Sequence, residues 1–219
     1  MNASAPGRVY GYQQADPPHT RAYLQPWLDK LIAARSWPPS SRVLDYGCGN
    51  GWFTGWLTRQ GFHAVGVDPS DSGIDIARRA VPQACFSTDV SRENLEHLGP
   101  FDLAICLEVI AHCYMPTNEL RNIHHCLKPC GMLVLSTPYH GYLKNLAMAI
   151  TGKLEGHLDT LLPGAFVHFF SIRSISQLLC EAGFENVTVG CAGRIPPLAK
   201  TMVVTCTKPR RAAPRDNHL

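Results

Sequence analysis

Several absences narrow the reading before any motif does. The nine cysteines are odd in number and contain no C-x-x-C pair, so neither a disulfide framework nor a paired-thiolate zinc site is indicated. Cys85, Cys106, Cys180 and Cys206 lie in apolar strand or helix patterns, where a free thiol acts as a small buried hydrophobe. The expected compartment is a reducing cytoplasm. Cys126 and Cys130 beside His124 and His125 carry metal-ligand chemistry, but the cluster falls where a helix should end at Lys128-Pro129, and no metal is expected there. No apolar run approaches the ~18 residues of a membrane span, and the first residues lack a basic, apolar secretory pattern. Charge excess is also missing from the body. The formal net charge is +3, and Lys208, Arg210, Arg211 and Arg215 against Asp216 account for it. A neutral body offers no footprint for nucleic acid.

What is present is a chain of 219 residues, 45% hydrophobic, enough for one domain with a sizeable core. Its organising stretch is Arg42-Val43-Leu44-Asp45-Tyr46-Gly47-Cys48-Gly49-Asn50-Gly51, followed by a helix-like segment from Trp52 and Phe53. An apolar strand ends in an acid, and glycines then come at alternate positions. The pattern is not the G-x-G-x-x-G that sets a pyrophosphate on a helix N-terminus, and no phosphate-binding lysine accompanies it. A carboxylate at the strand end would repel a phosphate, whereas it suits an ammonium group or a ribose. Seventeen residues beyond Gly51 a second apolar segment ends at Asp68, followed by Pro69-Ser70. An acid about 20 residues past the glycine turn is placed to accept from ribose hydroxyls.

Taken together, Val43 to Asn50 and Val67-Asp68-Pro69-Ser70 resemble the cofactor site of class I S-adenosylmethionine (SAM) methyltransferases. The resemblance implies that Asp45 faces the methionine end of SAM, that Asp68 holds its ribose, and that S-adenosylhomocysteine is the product. Asp89-Val90 suits an adenine site, with the carboxylate accepting from the exocyclic amine; otherwise Asp89 caps the segment opening at Ser91. Leu107 and Glu108 close the fourth strand on the same side, and Tyr12 belongs to an arm able to fold over the cofactor.

The chain alternates strands and helices, which implies a parallel sheet covered on both faces. The expected fold is a single Rossmann-like α/β domain over residues 20–207, with a seven-stranded, mostly parallel sheet and an antiparallel last strand. Residues 1–19 form an N-terminal arm and 208–219 a disordered basic tail. Residues 138–171 are too long for an ordinary connection and read as a lid or substrate wall. Within them Leu143, Leu146, Ala147, Ile150 and Leu154 form a helical apolar stripe that leaves Lys144 and Lys153 outside. The stripe is expected to pack on the core; a membrane-surface anchor, giving peripheral membrane contact, is the alternative.

Residues 42–189 are similar to the ubiquinone-biosynthesis O-methyltransferase group. Its members typically carry Glu-x-x-Glu-His after the fourth strand, associated in some with a divalent cation. This chain has Glu108-Val109-Ile110-Ala111-His112. One acid is missing, which leaves too few oxygen ligands for Mg²⁺, and no required metal is expected. Ala111 and Phe166 both depart from related patterns and suggest an altered acceptor pocket.

Methyl transfer from a sulfonium is an in-line displacement, so positioning and exclusion of water come first. A phenolic acceptor, with pKa near ~10, needs a base. His112 and His140 follow strands four and five and are the candidates, His112 first. Tyr139, Tyr142, Phe166 and His168 could wall the acceptor. The expected activity is methylation of a small aromatic or quinone-like molecule, most directly at a hydroxyl oxygen. The alternatives are N-methylation of a small heterocycle or amine, and a silent SAM-binding module.

Overall fold

A computed structural model describes residues 12–154 and 167–210. Each glycine- or proline-punctuated apolar run becomes a strand: β1 Arg42–Tyr46, β2 His63–Val67, β3 Cys85–Ser87, β4 Phe101–Leu107, β5 Leu127–Pro138, β6 Glu185–Ala192 and β7 Thr201–Thr207. They form one sheet in the order β3-β2-β1-β4-β5-β7-β6. β1 pairs in parallel with both β2 and β4, and β4 with β5. β7 runs antiparallel between β5 and β6. The turn after β6 is too short for a helical crossover, which forces this reversal. The strand order reverses between β1 and β4, where ligands of open α/β sheets collect at the carboxyl ends.

The helices are α1 Arg21–Ala33, α2 Trp52–Arg59, α3 Asp71–Ala80, α4 Arg92–Leu98, α5 Pro116–Cys126, α6 Tyr142–Ile150 and α7 Ile172–Glu181. Two core clusters lie on the two faces of the sheet. One gathers Leu44, Val65, Phe101, Ala104, Ile123 and Leu135 with α5 and α7. The other gathers Val43, Leu103, Ile105 and Val134 with Leu24, Leu28, Phe53 and Trp56 of α1 and α2. Adjacent residues of β1 and β4 enter opposite clusters, as a pleated strand requires. These central strands therefore read as unbroken apolar runs.

Two expectations are corrected. The tail does not begin at 208: Lys208 extends β7, its N–H donating to Gly131 O at 2.9 Å and its carbonyl accepting from Cys130 N at 3.1 Å. Its Nζ donates to Leu127 O at 2.7 Å. Residues 211–219 lie outside the described residues. In α6 the expected face is inverted: Leu143, Leu146 and Ile150 are exposed while Lys144 is buried. The Lys144 ammonium donates to Tyr139 O at 2.8 Å and Lys200 O at 3.4 Å. Two carbonyls at the sheet end thus select the cationic side of this helix, because an unfilled buried acceptor costs more than an exposed leucine.

Candidate functional site

Asp45 ends β1 with only 3% of its surface exposed. Its Oδ2 accepts from the Thr54 hydroxyl of α2 at 2.6 Å. Burial raises its pKa from 3.8 to about 7, partly offset by the Thr54 bond and reinforced by the neighbouring Asp68 carboxylate. The chain then turns through Gly47, Gly49 and Gly51, all with left-handed φ of 76°, 53° and 76°. The Gly47 and Cys48 N–H groups both donate to Val67 O, at 2.7 and 3.0 Å. A Cβ on Gly47 would collide with Val109, and one on Gly49 with the Tyr12 phenol. Glycine is required here by both the backbone angle and the close approach.

Asp68 answers from the end of β2. Its Oδ2 accepts from Gly49 N at 2.9 Å and its Oδ1 from Ser70 N at 2.8 Å. Ser70 caps α3 through its side chain, accepting from Gly73 N at 3.2 Å. Pro69 stays exposed between them. Burial raises the Asp68 pKa, opposed by the N–H bonds from Ser70 and Gly49. Replacing Asp68 with alanine is expected to weaken S-adenosylhomocysteine binding by ~1–3 kcal/mol, roughly 5- to 150-fold, through lost hydrogen bonds. Titration calorimetry measures this directly, and unchanged affinity would show that the ribose lies elsewhere.

The arm reaches this turn. Tyr12 donates its N–H to Ser72 Oγ at 3.2 Å, and its ring lies against Gly49 and Gly73. Asn50 ties the arm down, its amide donating to Gln14 O at 3.0 Å and Asp16 O at 2.8 Å. Asn50 is therefore a fastener of the arm in this structure. Side chains of three other candidates point into the core: Cys48 with Ile74 and Phe86, Phe53 with Trp56, and Leu107 against the α1–α2 cluster. Helical spacing sends Phe53, Trp56 and Leu57 to one buried face. Trp52 lies under the Arg21 guanidinium, 5.0 Å from its ring centre.

Asp89 is exposed, and its Oδ1 accepts from Ser91 N at 2.8 Å. The Ser91 hydroxyl first, and this N–H second, hold its carboxyl below the usual range. The cap of α4 is Ser91, which accepts from Asn94 N at 3.3 Å, so Asp89 shapes the turn before the cap. Val90 packs on the larger core cluster.

Glu108 has φ +59°, a strained conformation for a residue with a side chain. Its Oε1 accepts from Ser136 Oγ at 2.8 Å and Thr201 Oγ1 at 2.5 Å, joining the ends of β4, β5 and β7. Burial raises its pKa, and those two hydroxyl bonds pull it down. Glu108 thus faces the β5–β7 side, away from the glycine turn. Thr54, Ser136, Thr201 and Val109 were not singled out from the sequence. Polar Ser136 and Thr137 at the end of the apolar β5 run were the available signal for one of them.

Val109 packs against Gly47, and His112 follows in a single 3-10 turn, Ile110–His112, with its N–H donating to Val109 O at 2.9 Å. Ala111 O accepts from both Val167 N and His168 N, at 2.9 and 3.0 Å, bringing the far end of the insertion onto this turn. His140 meets Phe169 edge-on at 4.8 Å. His168 stacks on Phe170 at 5.7 Å, and Tyr139 packs on the core edge. Tyr142 is 79% exposed and walls nothing among the described residues. Phe166 lies outside the described residues. Cys126 is buried and donates to Ile123 O, and His124 meets Phe184 edge-on at 5.0 Å. Among the described residues no group of three or more His, Cys, Asp or Glu could hold a metal ion.

A glycine turn flanked by two buried carboxylates, at the switch point of a doubly wound sheet, defines a binding domain for a cationic nucleoside cofactor. A family model described as "Methyltransferase domain" matches residues 18–189. The chain belongs to that family, and its cofactor is S-adenosyl-L-methionine. It is 34% identical over 152 residues to a ubiquinone biosynthesis O-methyltransferase of Ruegeria pomeroyi, covering 67% of this chain and 60% of the relative. A protein of the same name from Xanthomonas axonopodis pv. citri is 30% identical over 170 residues, covering 74% and 70%. The fold is shared with magnesium protoporphyrin IX methyltransferase from Synechocystis PCC 6803 with bound S-adenosylhomocysteine, at TM-score 0.65 and 20% identity over 87% of this chain and 83% of that one.

Proposed function

We propose that the protein transfers the methyl group of SAM to a hydroxyl oxygen of a small aromatic or quinone-like acceptor, with His112 as general base and His140 as the second candidate. The observation that carries this reading is the meeting of the glycine turn, the turn after β4 and the far end of the insertion. Val109 touches Gly47, His112 follows it by one turn, and the segment from Val167 bonds to Ala111. These contacts support reading the His112 imidazole as facing the acceptor side of the cofactor cleft, with Tyr139, His140, His168 and Phe169 as the other candidates of the same region.

The residues fit the cofactor chemically. Asp45 supplies a counter-charge for an ammonium, Asp68 an acceptor for ribose hydroxyls, and Asp89 an acceptor for an exocyclic amine beside Val90. Tyr12 covers the turn at Gly49. Bound SAM supplies an electrophilic methyl on a sulfonium. The protein's own part is to align the acceptor, exclude water and take its proton. The relatives named for ubiquinone biosynthesis support an aromatic acceptor.

Incubation with methyl-labelled SAM and fractionated cell extract tests the proposal. Label should appear in small apolar molecules. Label in protein or RNA would overturn the acceptor class, and cofactor binding with no label in any fraction would favour the silent module.

A further inference from the structure

Tyr46 stands between Asp45 and Gly47 and brings a polar atom where the apolar run of β1 needs none. It is 4% exposed, and alternation along the strand sends it to the opposite side from Asp45, into the cluster that holds Ile110 and Ala111. Its hydroxyl donates to Glu119 Oε2 in the first turn of α5. Burial, and then the charge of Glu119, holds the phenol well above its ordinary pKa, so it remains the donor. A phenylalanine facing an apolar side chain would fill this space with no polar group to satisfy, and such a replacement of both partners is nearly neutral for stability. Stability alone does not call for the pair.

The bond closes a loop of chain around His112. The chain leaves β4 at Glu108, whose N–H donates to Ser136 O at 3.0 Å, and Val109 then packs on Gly47. The 3-10 turn Ile110–His112 follows. Cys113 comes next, its Sγ donating to Val109 O at 3.6 Å. Burial, with the Glu119 charge adding to it, pushes that thiol up to about 12, so no thiolate opposes Glu119 inside the loop. α5 opens at Pro116 and rests on the same 3-10 turn. No side chain caps its start, so the helix takes its place from packing and from the Glu119 bond. Both ends of the segment 109–119 thus return to consecutive residues of the cofactor turn, Val109 to Gly47 and Glu119 to Tyr46. A segment tied at one end can pivot about it; tied at both, it moves with the strand.

From this double attachment, we infer that Tyr46 and Glu119 form a positioning pair, whose bond fixes the turn bearing His112 over the cofactor turn so that imidazole and methyl donor keep one separation. The inference rests on the reading of His112 as general base. The pair takes no proton itself and acts through the histidine. A displacement of about 1 Å between reacting groups costs up to ~10²-fold in rate, and loss of one of the two attachments should cost about 10-fold.

Turnover of the full chain with methyl-labelled SAM and ring-substituted phenols in the pKa range ~7–10 tests this. Tyr46→Phe should lower kcat about 10-fold for the least acidic phenols, leave the most acidic ones near the native rate, and keep the KM for SAM within about two-fold. Glu119→Leu should match it, while Glu119→Gln, whose amide oxygen still accepts, should come within about three-fold of the native rate. The double variant Tyr46→Phe with Glu119→Leu should be no slower than either alone. On a His112→Ala background Tyr46→Phe should cost nothing further. Native affinity for S-adenosylhomocysteine by calorimetry shows that the fold is intact, and Glu119, half-buried on its helix, gives variants that report even where Tyr46→Phe fails to fold. Native kcat in Tyr46→Phe and Glu119→Leu, an equal loss across the whole phenol series, or an equal loss with and without His112 would overturn the inference and leave the base reading standing. Native kcat in His112→Ala, or no phenol methylated at all, would overturn the base reading and the inference with it.

Discussion

Asp45→Asn is expected to raise the melting temperature at pH 8 by roughly 10 °C while weakening cofactor binding by ~10- to 100-fold. The stability change follows from burial. The Asp45 carboxyl titrates at 3.8 when free and at about 7 in the fold, because burial disfavours its charge more than the Thr54 hydroxyl bond favours it. A folded pKa raised for an acid means that the folded state holds the proton longer. Stability from this group is therefore full below about pH 4 and is lost as pH rises through about 7. Moving a carboxyl by that much is worth on the order of 4 kcal/mol, and at ~2–4 °C per kcal/mol for a chain of this size the shift is large. Asparagine is neutral, similar in shape, and still accepts from Thr54. The gap between variant and native protein should narrow below about pH 7 and close towards about pH 4.

The binding change has the opposite sign for the same reason. A cationic ammonium stabilises the ionised carboxyl, so binding releases a proton below about pH 7. Affinity of the native protein for S-adenosylhomocysteine should fall by up to ~10-fold per pH unit below 7, and the variant should show no such slope. Calorimetry in buffers of different ionisation enthalpy would count the released proton. A variant that melts at the native temperature at pH 8 would mean that the buried charge is compensated in the fold. A variant that binds normally would move the ammonium away from Asp45.

Local chemistry decided what could be read from the residues alone. The glycine turn, Asp45 and Asp68 were legible because a left-handed turn between a strand and a helix demands glycine, and because the two acids end consecutive strands. The antiparallel β7 was legible from the absence of a helix between the last two strands. Which face of α6 is buried was not legible. Periodicity locates a stripe of Leu143, Leu146 and Ile150 but carries no information about two carbonyls, at 139 and 200, that recruit Lys144. Asn50 has a further role that was not legible for a similar reason: its amide reaches carbonyls 34 and 36 residues away. Asp89 and Ser91 compete for the same cap, and propensities rank them nearly equal. The outcome depends on where β3 ends against β2.

Replacing His112 with alanine is expected to lower turnover by ~10² or more while leaving cofactor affinity within about two-fold. The separation is geometric. His112 is linked to the glycine turn through Val109, whose side chain and carbonyl remain when the imidazole is removed. The acceptor would lose the group that takes its proton, and the developing positive charge on its oxygen would no longer be relieved during attack. The defect should therefore shrink as the acceptor becomes more acidic, since a phenol already ionised at the assay pH needs no base. A series of ring-substituted phenols in the pKa range ~7–10 would display this as convergence of native and variant rates at the acidic end. His140→Ala, by contrast, should show no such acidity-dependent defect if His112 is the base and should show it if the roles are exchanged. Loss of cofactor affinity in parallel with turnover in His112→Ala would remove the histidine from the chemistry and make it a support for Val109.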